Sequence, residues 1–476
     1  MSRPLAALLL AALSTAALAR QPADPPVPNP TVFKLTTTPA AAPVPALRYE
    51  FRPRASERTA GNAAADYFRA ALTVPQWPRP ADPNEPPHAV HDRWADSPLD
   101  AFPDAEVTAH LDKFAVGFEA LDAGALRETC DWRQGVPVRL DRLEDHLNEF
   151  GKFREIMVYN RMRVRRDLAR KDFDAAARDI RSGFRFAKAV GEGPTVVQML
   201  VGHALALIAC GDAGQFIGRP GSPNLYWALA GLPHPLIDPR VALDNEAALT
   251  SLHLPDFPDL DKGPIDPARA DRVAADFFAA ITKLYQSEPV AAADVPARVA
   301  KAAPAARNRL VALGRPAADV EKLPAAQAVV LNTILTWRVS WDDQVKAFAL
   351  PYPRAWAEFD RLGKQAAEWE KDTDPLLAVS PPRQVLKLYN AHARVGRTLD
   401  ALQAVEAVRL HAAANAGRPP ARLADITAVS VPPDPFTGRP FEYTATAAGF
   451  TLTAPPPAGE TANLGNSFRY EVSFLR

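Results

Sequence analysis

Histidine and carboxylate side chains lie close together at one point of the chain where a metal ion could bind. His88 and His91 are three residues apart, and Asp92 and Asp96 follow them. Two imidazoles at this spacing with nearby carboxylates could bind zinc if the segment were helical. Two prolines directly before His88 favour a loop instead, which lacks the fixed face that such a site needs. We therefore expect an exposed polar loop and no metal site.

A second group offers carboxylate oxygens of the kind that calcium prefers. It consists of His253, Asp256, Asp259 and Asp261, followed by Gly263. The spacing differs from that of an EF-hand loop, and prolines stiffen the segment differently. Solvated loop acids that separate two helices are therefore the favoured interpretation.

Two further pairs could serve nucleophilic or acid–base catalysis. His203 and Cys210 are seven residues apart in an apolar segment and would lie near one helix face, as a Cys–His pair requires. Because that helix is expected to be buried, we interpret His203 as a core histidine. Asp342 and Asp343 are adjacent, so on a helix their side chains point about 100° apart and are expected to lie on a helix surface.

The sequence contains no nucleophile elbow, no phosphate-binding Gly-Lys-Ser/Thr loop and no dinucleotide-binding glycine motif. Gly191 and Gly193 precede a helix and could meet an anion, but a tight turn between helices is favoured. Tryptophans of the C-terminal half are interpreted as helix packing rather than as a sugar platform: Trp337, Trp341, Trp356 and Trp369. The sequence thus predicts no catalytic residue, no bound cofactor and no metal.

Composition excludes several classes of protein. The chain has 476 residues, of which 48 are proline, 23 glycine and two cysteine, and we count 90 alanines. It is therefore neither collagen-like nor a disulfide scaffold. The 55 basic and 55 acidic residues balance, which gives no electrostatic reason to expect nucleic acid or an anionic membrane as a partner.

Residues 1–19 have the pattern of a cleavable signal peptide. Arg3 precedes an apolar run from Leu5 to Leu13, and Ala17-Leu18-Ala19 is a typical cleavage site. We expect an exported protein, periplasmic or extracellular, with no membrane span after cleavage. The apolar stretch 196–209 is too short to cross a bilayer and is expected to be a buried helix.

Export would permit a disulfide between Cys130 and Cys210, the only cysteines of the chain. Both could equally be small buried apolar residues, because nothing in the sequence sets the distance between them. The two alternatives remain open.

Spacing of apolar residues predicts helices through most of the chain after a proline-rich start. Cap and proline signals support several of them, above all Asp266-Pro267. Alternating apolar residues in the tail predict three short strands. The predicted parts are a signal peptide at 1–19, a Pro/Ala-rich tether at 20–47, helical domains at 48–265 and 266–420, and a small β tail at 421–476. The fold is expected to be mainly α, a helical array closed by a small C-terminal antiparallel β meander.

Three resemblances bear on architecture. The segment 170–176 (Arg-Lys-Asp-Phe-Asp-Ala-Ala) resembles the start of the second helix of a tetratricopeptide-like hairpin, so some hairpins of that kind are expected. About 65 residues of the tail, with Arg409-Leu410-His411, Gly417–Pro420, Leu423 and Asp434–Tyr443, look like the soluble end of type II secretion pseudopilins, without the apolar N-terminal helix of that family. The segments 45–49, 61–64, 191–195 and 232–238 resemble a set of exported bacterial proteins with no assigned activity, which implies architecture and export but no chemistry.

These observations favour an exported helical scaffold or binding module whose partner is an unknown protein or envelope component. Two alternatives remain. One is an exported hydrolase with a site around His203 or the His88 cluster, and the other is an accessory protein of a secretion system.

Overall fold

The computed structural model describes residues 31–475, apart from short gaps at 79, 81, 83, 87–88, 133–142, 253–256, 285–287, 289, 372–376, 378–381, 458–459 and 464. Residues 1–19, the predicted signal peptide, and residues 20–30 of the predicted tether lie outside the described residues. The chain is 61% helical with a small C-terminal sheet, which confirms the predicted fold class.

Helices form most of the described chain. In chain order they are α1 (Ala63–Leu72), α2 (Ala89–Asp96), α3 (Asp104–Leu111), α4 (Ala115–Leu126), α5 (Leu143–Ala169), α6 (Phe173–Gly191), α7 (Val196–Ile217), α8 (Tyr226–Ala230), α9 (Arg240–Leu252), α10 (Phe257–Leu260), α11 (Pro267–Leu284), α12 (Val295–Ala312), α13 (Ala317–Glu321), α14 (Ala325–Val345), α15 (Tyr352–Glu370) and α16 (Pro382–Ala414). Six strands accompany them: β1 (Thr31–Thr37), β2 (Thr59–Asn62), β3 (Arg127–Thr129), β4 (Glu442–Thr446), β5 (Gly449–Ala454) and β6 (Phe468–Phe474).

Local sequence signals account for many helix ends. Helix α11 begins at Pro267, and the Asp266 carboxylate accepts the backbone N–H of Arg269 at 3.0 Å, as the cap-then-proline pattern predicts. Thr195 caps α7 in the same way by accepting the N–H of Gln198. The predicted single helix after Asp104 is instead two helices, because a 3₁₀ turn at Asp112–Phe114 separates α3 from α4.

The C-terminal sheet has the strand order β1-β6-β5-β4. Strands β4, β5 and β6 form the predicted antiparallel meander. Strand β1 pairs in parallel with β6, from Thr31 opposite Phe468 to Thr37 opposite Phe474, and so corrects the prediction of an extended tether for residues 31–37. Seven residues of β1 pair with β6, and Phe33 also stacks on Tyr470 with 5.2 Å between ring centroids, a cross-strand contact that adds to the pairing.

Contacts divide the chain into two compact units. The insert unit contains the described residues of 143–147 and 243–389, and the main unit contains those of 31–132, 148–242 and 390–475. These boundaries differ from the linear division predicted at residues 265/266 and 420/421. The difference arises because β1 and β6 join the ends of the chain in the main unit.

The core of the insert unit lies between α11, α12 and α14. Phe278, Leu310 and Val330 are among its buried side chains. Gln327 is also buried there, and its amide group donates to the carbonyls of Leu260 and Gly263. These bonds satisfy a polar side chain that would otherwise destabilise the core.

In the main unit, α6 and α7 pack closely. A Cβ atom added at Gly202 would lie 2.2 Å from the Cα of Gly191, so the two glycines let the helix backbones touch. The tetratricopeptide-like character of these hairpins stays a prediction.

Candidate functional site

The predicted histidine and acidic clusters are not assembled into metal sites among the described residues, which contain no group of three or more His, Cys, Asp or Glu side chains placed to hold a metal ion. His88 lies outside them. His91 contacts Asp92, with 2.9 Å between its Nδ1 and a carboxylate oxygen, and packs on Trp77. The expectation of a loop is wrong for residues 89–96, which form helix α2 with Val90 and Trp94 buried, because prolines before the first turn do not prevent a helix from starting.

The carboxylates of the second cluster contact arginines. His253 and Asp256 lie outside the described residues. Asp259 pairs with Arg269 at 3.0 Å, and Asp261 pairs with Arg315. A calcium ion would have to compete with these guanidinium groups for the same oxygens.

The adjacent acids of α14 do not share a site. Asp343 pairs with Lys346 at 2.5 Å, whereas Asp342 is exposed on the helix surface. On the same helix Trp337 stacks on Trp341, with 5.5 Å between ring centroids. Trp356 stacks on Tyr352, and the side chain of Trp369 is outside the described part of the chain.

His203 is buried against a second histidine that the sequence did not indicate. Its Nε2 lies 3.3 Å from Nδ1 of His392, which is on α16. Burial lowers the pKa of His203 to about 3 and that of His392 to about 4, so both imidazoles are neutral near pH 7. Apolar spacing had identified His203 as a core residue, but no local signal links it to a residue on another helix.

The two cysteines are free thiols in the structure, Cys130 half-buried and Cys210 buried, so the structure contains no disulfide between them. Burial raises the pKa of the Cys210 thiol far above its usual range. Because the thiolate is the nucleophile, this environment does not suit the Cys–His pair considered above.

Gly191 is the last residue of α6, and Gly193 lies in the turn that joins α6 to α7. The N–H of Gly193 donates to the carbonyl of Val190, and the N–H of Glu192 donates to that of Lys188. These amides end α6, as expected for a tight turn between helices.

The main unit carries an open groove of about 660 Å³ between α8 and the chain that follows α16. We call it the apolar groove. None of its lining side chains carries a charge near neutral pH, and Trp227 is 40% exposed beside it. The lining residues are Tyr226, Trp227, Leu423, Ala424, Ile426, Thr427, Ala428, Val429, Ser430, Val431, Pro433 and Pro440.

One wall of the apolar groove is an irregular, mainly exposed segment, residues 427–431, with unused backbone groups. Its N–H and C=O groups make no hydrogen bond with the described residues, apart from the Ser430 carbonyl, which accepts the Tyr226 hydroxyl at 2.6 Å. Exposed, unpaired backbone next to aromatic side chains can pair with an added extended chain. The sequence showed two prolines here but not the aromatic pair opposite.

A buried ion pair holds the segment that follows this wall. The Arg397 guanidinium on α16 donates to both carboxylate oxygens of Asp434, at 2.8 and 2.6 Å, and to the carbonyls of Pro455 and Asn466. It also lies over the Phe436 ring, 4.2 Å from its centroid. Pro433 of the groove directly precedes Asp434, so this pair positions one edge of the groove.

A second buried ion pair, between Glu406 and Arg409, positions the wall of the apolar groove that α8 forms. Glu406 accepts the backbone N–H of Leu225 at 3.0 Å and the amide of Asn224 at 2.7 Å, directly before α8. Arg409 pairs with Glu406 and donates to the carbonyls of Ser222 and Thr38. Both walls of the apolar groove are therefore fixed to α16.

One helix of the described chain, α7, is long and apolar enough to cross a membrane by length and composition, which corrects the expectation that this stretch is too short, because the helix continues to Ile217. Of its most apolar window, 61% is buried in the protein. Comparisons with protein-family models, curated proteins and solved structures gave no match.

Proposed function

We propose that the chain is a non-catalytic binding protein whose apolar groove holds an extended segment of another polypeptide. The observation that carries the proposal is the mainly exposed backbone of residues 427–431, which makes no hydrogen bond with the described residues except at Ser430 and lines the groove together with Tyr226 and Trp227. An extended peptide could pair with this backbone while its side chains contact the aromatic rings.

The chemistry of the lining favours an apolar, proline-containing segment. A charged side chain would lose hydration in the groove without a charged partner there. Proline-rich segments are already extended and pack well on aromatic rings, which reduces the entropy lost on binding. The predicted signal peptide would place this partner in the periplasm or outside the cell.

An accessory role in a secretion system is a second candidate. Its motive is that Leu423 and Pro440, which belong to the segments that resemble pseudopilins, also line the groove. If the role is correct, Trp227→Ala should reduce secretion in the source cell as strongly as deletion of residues 423–476 does. Normal secretion in both strains would argue against it.

Selection of random twelve-residue peptides displayed on phage tests the main proposal. Peptides enriched on the wild-type protein should be apolar and proline-containing. Their affinity should fall about 30-fold or more in Trp227→Ala, since a central tryptophan typically contributes at least 2 kcal/mol to an interface. Leu72→Ala is the matched control, because Leu72 is 88% exposed on α1 and does not line the groove.

Peptides that bind wild type and Trp227→Ala equally well would refute the groove as the site. Circular dichroism must show that Trp227→Ala is folded at the temperature of the binding assay, because the Trp227 ring is only 40% exposed and packs on Tyr226. An additional Val429→Glu variant places a charge in the opposite wall and should also weaken binding.

A further inference from the structure

A second cleft in the main unit, of about 290 Å³, is lined almost entirely by charged side chains. We call it the arginine cleft. It holds four arginines and three carboxylates, an excess of one positive charge. Its lining residues are Arg48, Tyr49, Glu50, Arg54, Glu57, Asp174, Ala177, Arg178 and Arg181.

One face of α6 supplies the floor of the arginine cleft. Asp174, Arg178 and Arg181 follow one another at helical spacing and so lie on the same face. Asp174 pairs with Arg48 at 2.7 Å, and Arg181 pairs with Glu57 at 3.1 Å. Arg178 is exposed and makes no hydrogen bond or ion pair with the described residues, although the Asp174 carboxylate attracts it electrostatically. Its guanidinium N–H groups can therefore donate to an anion.

A smaller cavity of about 190 Å³ shares one lining residue with each of the two sites. Trp227 lines both this cavity and the apolar groove, and Glu50 lines both this cavity and the arginine cleft. Ala228, Gly231 and Phe51 complete much of its wall. The three depressions are therefore neighbours on the main unit, with uncharged lining side chains in the groove and a net positive charge in the cleft.

We propose that the arginine cleft is the far end of the peptide site and binds carboxylate groups at one end of the bound segment. The proposal rests on the proposed function. A guanidinium group donates two parallel hydrogen bonds to a carboxylate, which suits Arg178 for an acidic side chain or a terminal carboxylate. The partner is thus an extended polypeptide with an apolar stretch followed or preceded by acidic residues.

Charge complementarity favours this occupant over a free anion. The apolar groove gives a peptide additional contacts that a small anion cannot make. Because the arginines are partly exposed, their attraction to the acidic end should weaken with salt, whereas contacts with the apolar groove should not.

Fluorescence anisotropy with three labelled peptides tests the proposal on the full chain without its signal peptide. Each contains ten residues of alternating proline and valine; one adds three glutamates at the N-terminus, one adds them at the C-terminus, and one adds three glutamines. We expect one glutamate peptide to bind about tenfold more tightly than the glutamine peptide. Arg178→Glu should remove that difference, and Arg178→Ala most of it, while the glutamine peptide binds as before.

Arg354→Glu is the matched control, because Arg354 is exposed on α15 in the insert unit. It should leave all three affinities unchanged. Raising the salt concentration from 0.05 to 0.5 M should reduce the preference for glutamate, in line with a Debye length that falls from about 14 to about 4 Å.

The outcomes separate the two proposals. If the glutamine peptide binds in a manner that depends on Trp227 but glutamate adds nothing, the arginine cleft is not part of the site and the proposed function stands. If the preference for glutamate persists unchanged in Arg178→Ala and Arg178→Glu, the arginine cleft does not hold the peptide carboxylates and the proposal is overturned. Absence of binding by all three peptides would overturn both proposals.

Discussion

Replacing Arg397 by methionine should detach the β tail from α16. The arginine side chain is fully buried and joins the helix to three parts of the tail. It donates to Asp434 at 2.8 and 2.6 Å, to the carbonyl of Pro455 at 2.6 Å and to that of Asn466 at 2.5 Å. Methionine keeps much of the apolar volume but supplies none of these hydrogen bonds.

The loss of stability in this variant can be estimated from the carboxylate that remains buried without its partner. In Arg397→Met the Asp434 carboxylate keeps one backbone donor, the N–H of Phe436 at 3.0 Å, but loses its counter-charge. Breaking a buried ion pair on one side typically costs about 3–5 kcal/mol, because the remaining charge is uncompensated. Removing both charges in Arg397→Met/Asp434→Asn should therefore cost less than the sum of the two single changes.

Hydrogen exchange of the β5 and β6 amides measures this effect where it should occur. We expect their protection against exchange to fall at least about a hundredfold in Arg397→Met, since each 1.4 kcal/mol corresponds to a factor of ten. Arg422→Met is the matched control: Arg422 pairs with Asp425 at 2.8 Å, but its side chain is 78% exposed. Such a surface pair contributes at most about 1 kcal/mol.

Equal protection in Arg397→Met and Arg422→Met would refute the reasoning. So would a double variant whose loss equals or exceeds the sum of the single losses, because the cost would then not come from an unpaired buried charge. In either case the apolar groove would not depend on the Arg397–Asp434 pair.

Three further predictions concern the interior. Gly202→Ala should lower the free energy of unfolding by about 1–3 kcal/mol, because the added Cβ overpacks the contact with Gly191. Gly211→Ala on the same helix should raise it by up to about 1 kcal/mol, because a Cβ there meets nothing within 4 Å. Equal shifts of the two melting temperatures would contradict this. Burial raises the pKa of Asp212 from 3.8 to about 7. Between these two pH values the folded protein holds a proton that the unfolded chain releases. The free energy of unfolding should therefore fall from pH 4 to pH 7, by roughly 4 kcal/mol at most. Asp212→Asn should remove this pH-dependent part of the stability. If the urea midpoints of wild type and Asp212→Asn change with pH in the same way between pH 4 and 8, the prediction is wrong. Burial lowers the pKa of His203 to about 3 and that of His392 to about 4. Because the unfolded chain then binds more protons, the free energy of unfolding should decrease as the pH falls below 6.5. NMR should show neither imidazole ring titrating above pH 5, and titration near pH 6.5 would contradict their burial.

Much of the local structure could be predicted because its causes are local. The cap at Asp266 and the proline after it set the start of α11, and alternating apolar residues set β5 and β6. The 3₁₀ turn at Asp112–Phe114 was missed because the apolar spacing continues across it without interruption. The outcome for Gly191 and Gly193 was expected, since glycines before a new helix are typical of tight turns.

The candidate site could not be predicted in the same way. Tyr226 and Trp227 are adjacent in sequence, but nothing nearby shows that residues 427–431 form the opposite wall of a groove. The sequence around His203 indicated an apolar environment but not the contact with His392. Arg178 has no feature in the sequence that distinguishes it from other helix arginines, and only the cleft around it does so. Each of these relations joins residues that are far apart in the chain.

The sequence by itself determined the mainly α class, the positions of many helices and the antiparallel meander of the tail, because periodicity, caps and prolines act over a few residues. Only the tertiary structure decided that Thr31–Thr37 forms a strand beside β6, that Arg397 and Asp434 are buried together, and that residues distant in the chain line the groove and the arginine cleft. These features depend on which distant segments exclude water from one another, and that is settled by packing of the whole main unit.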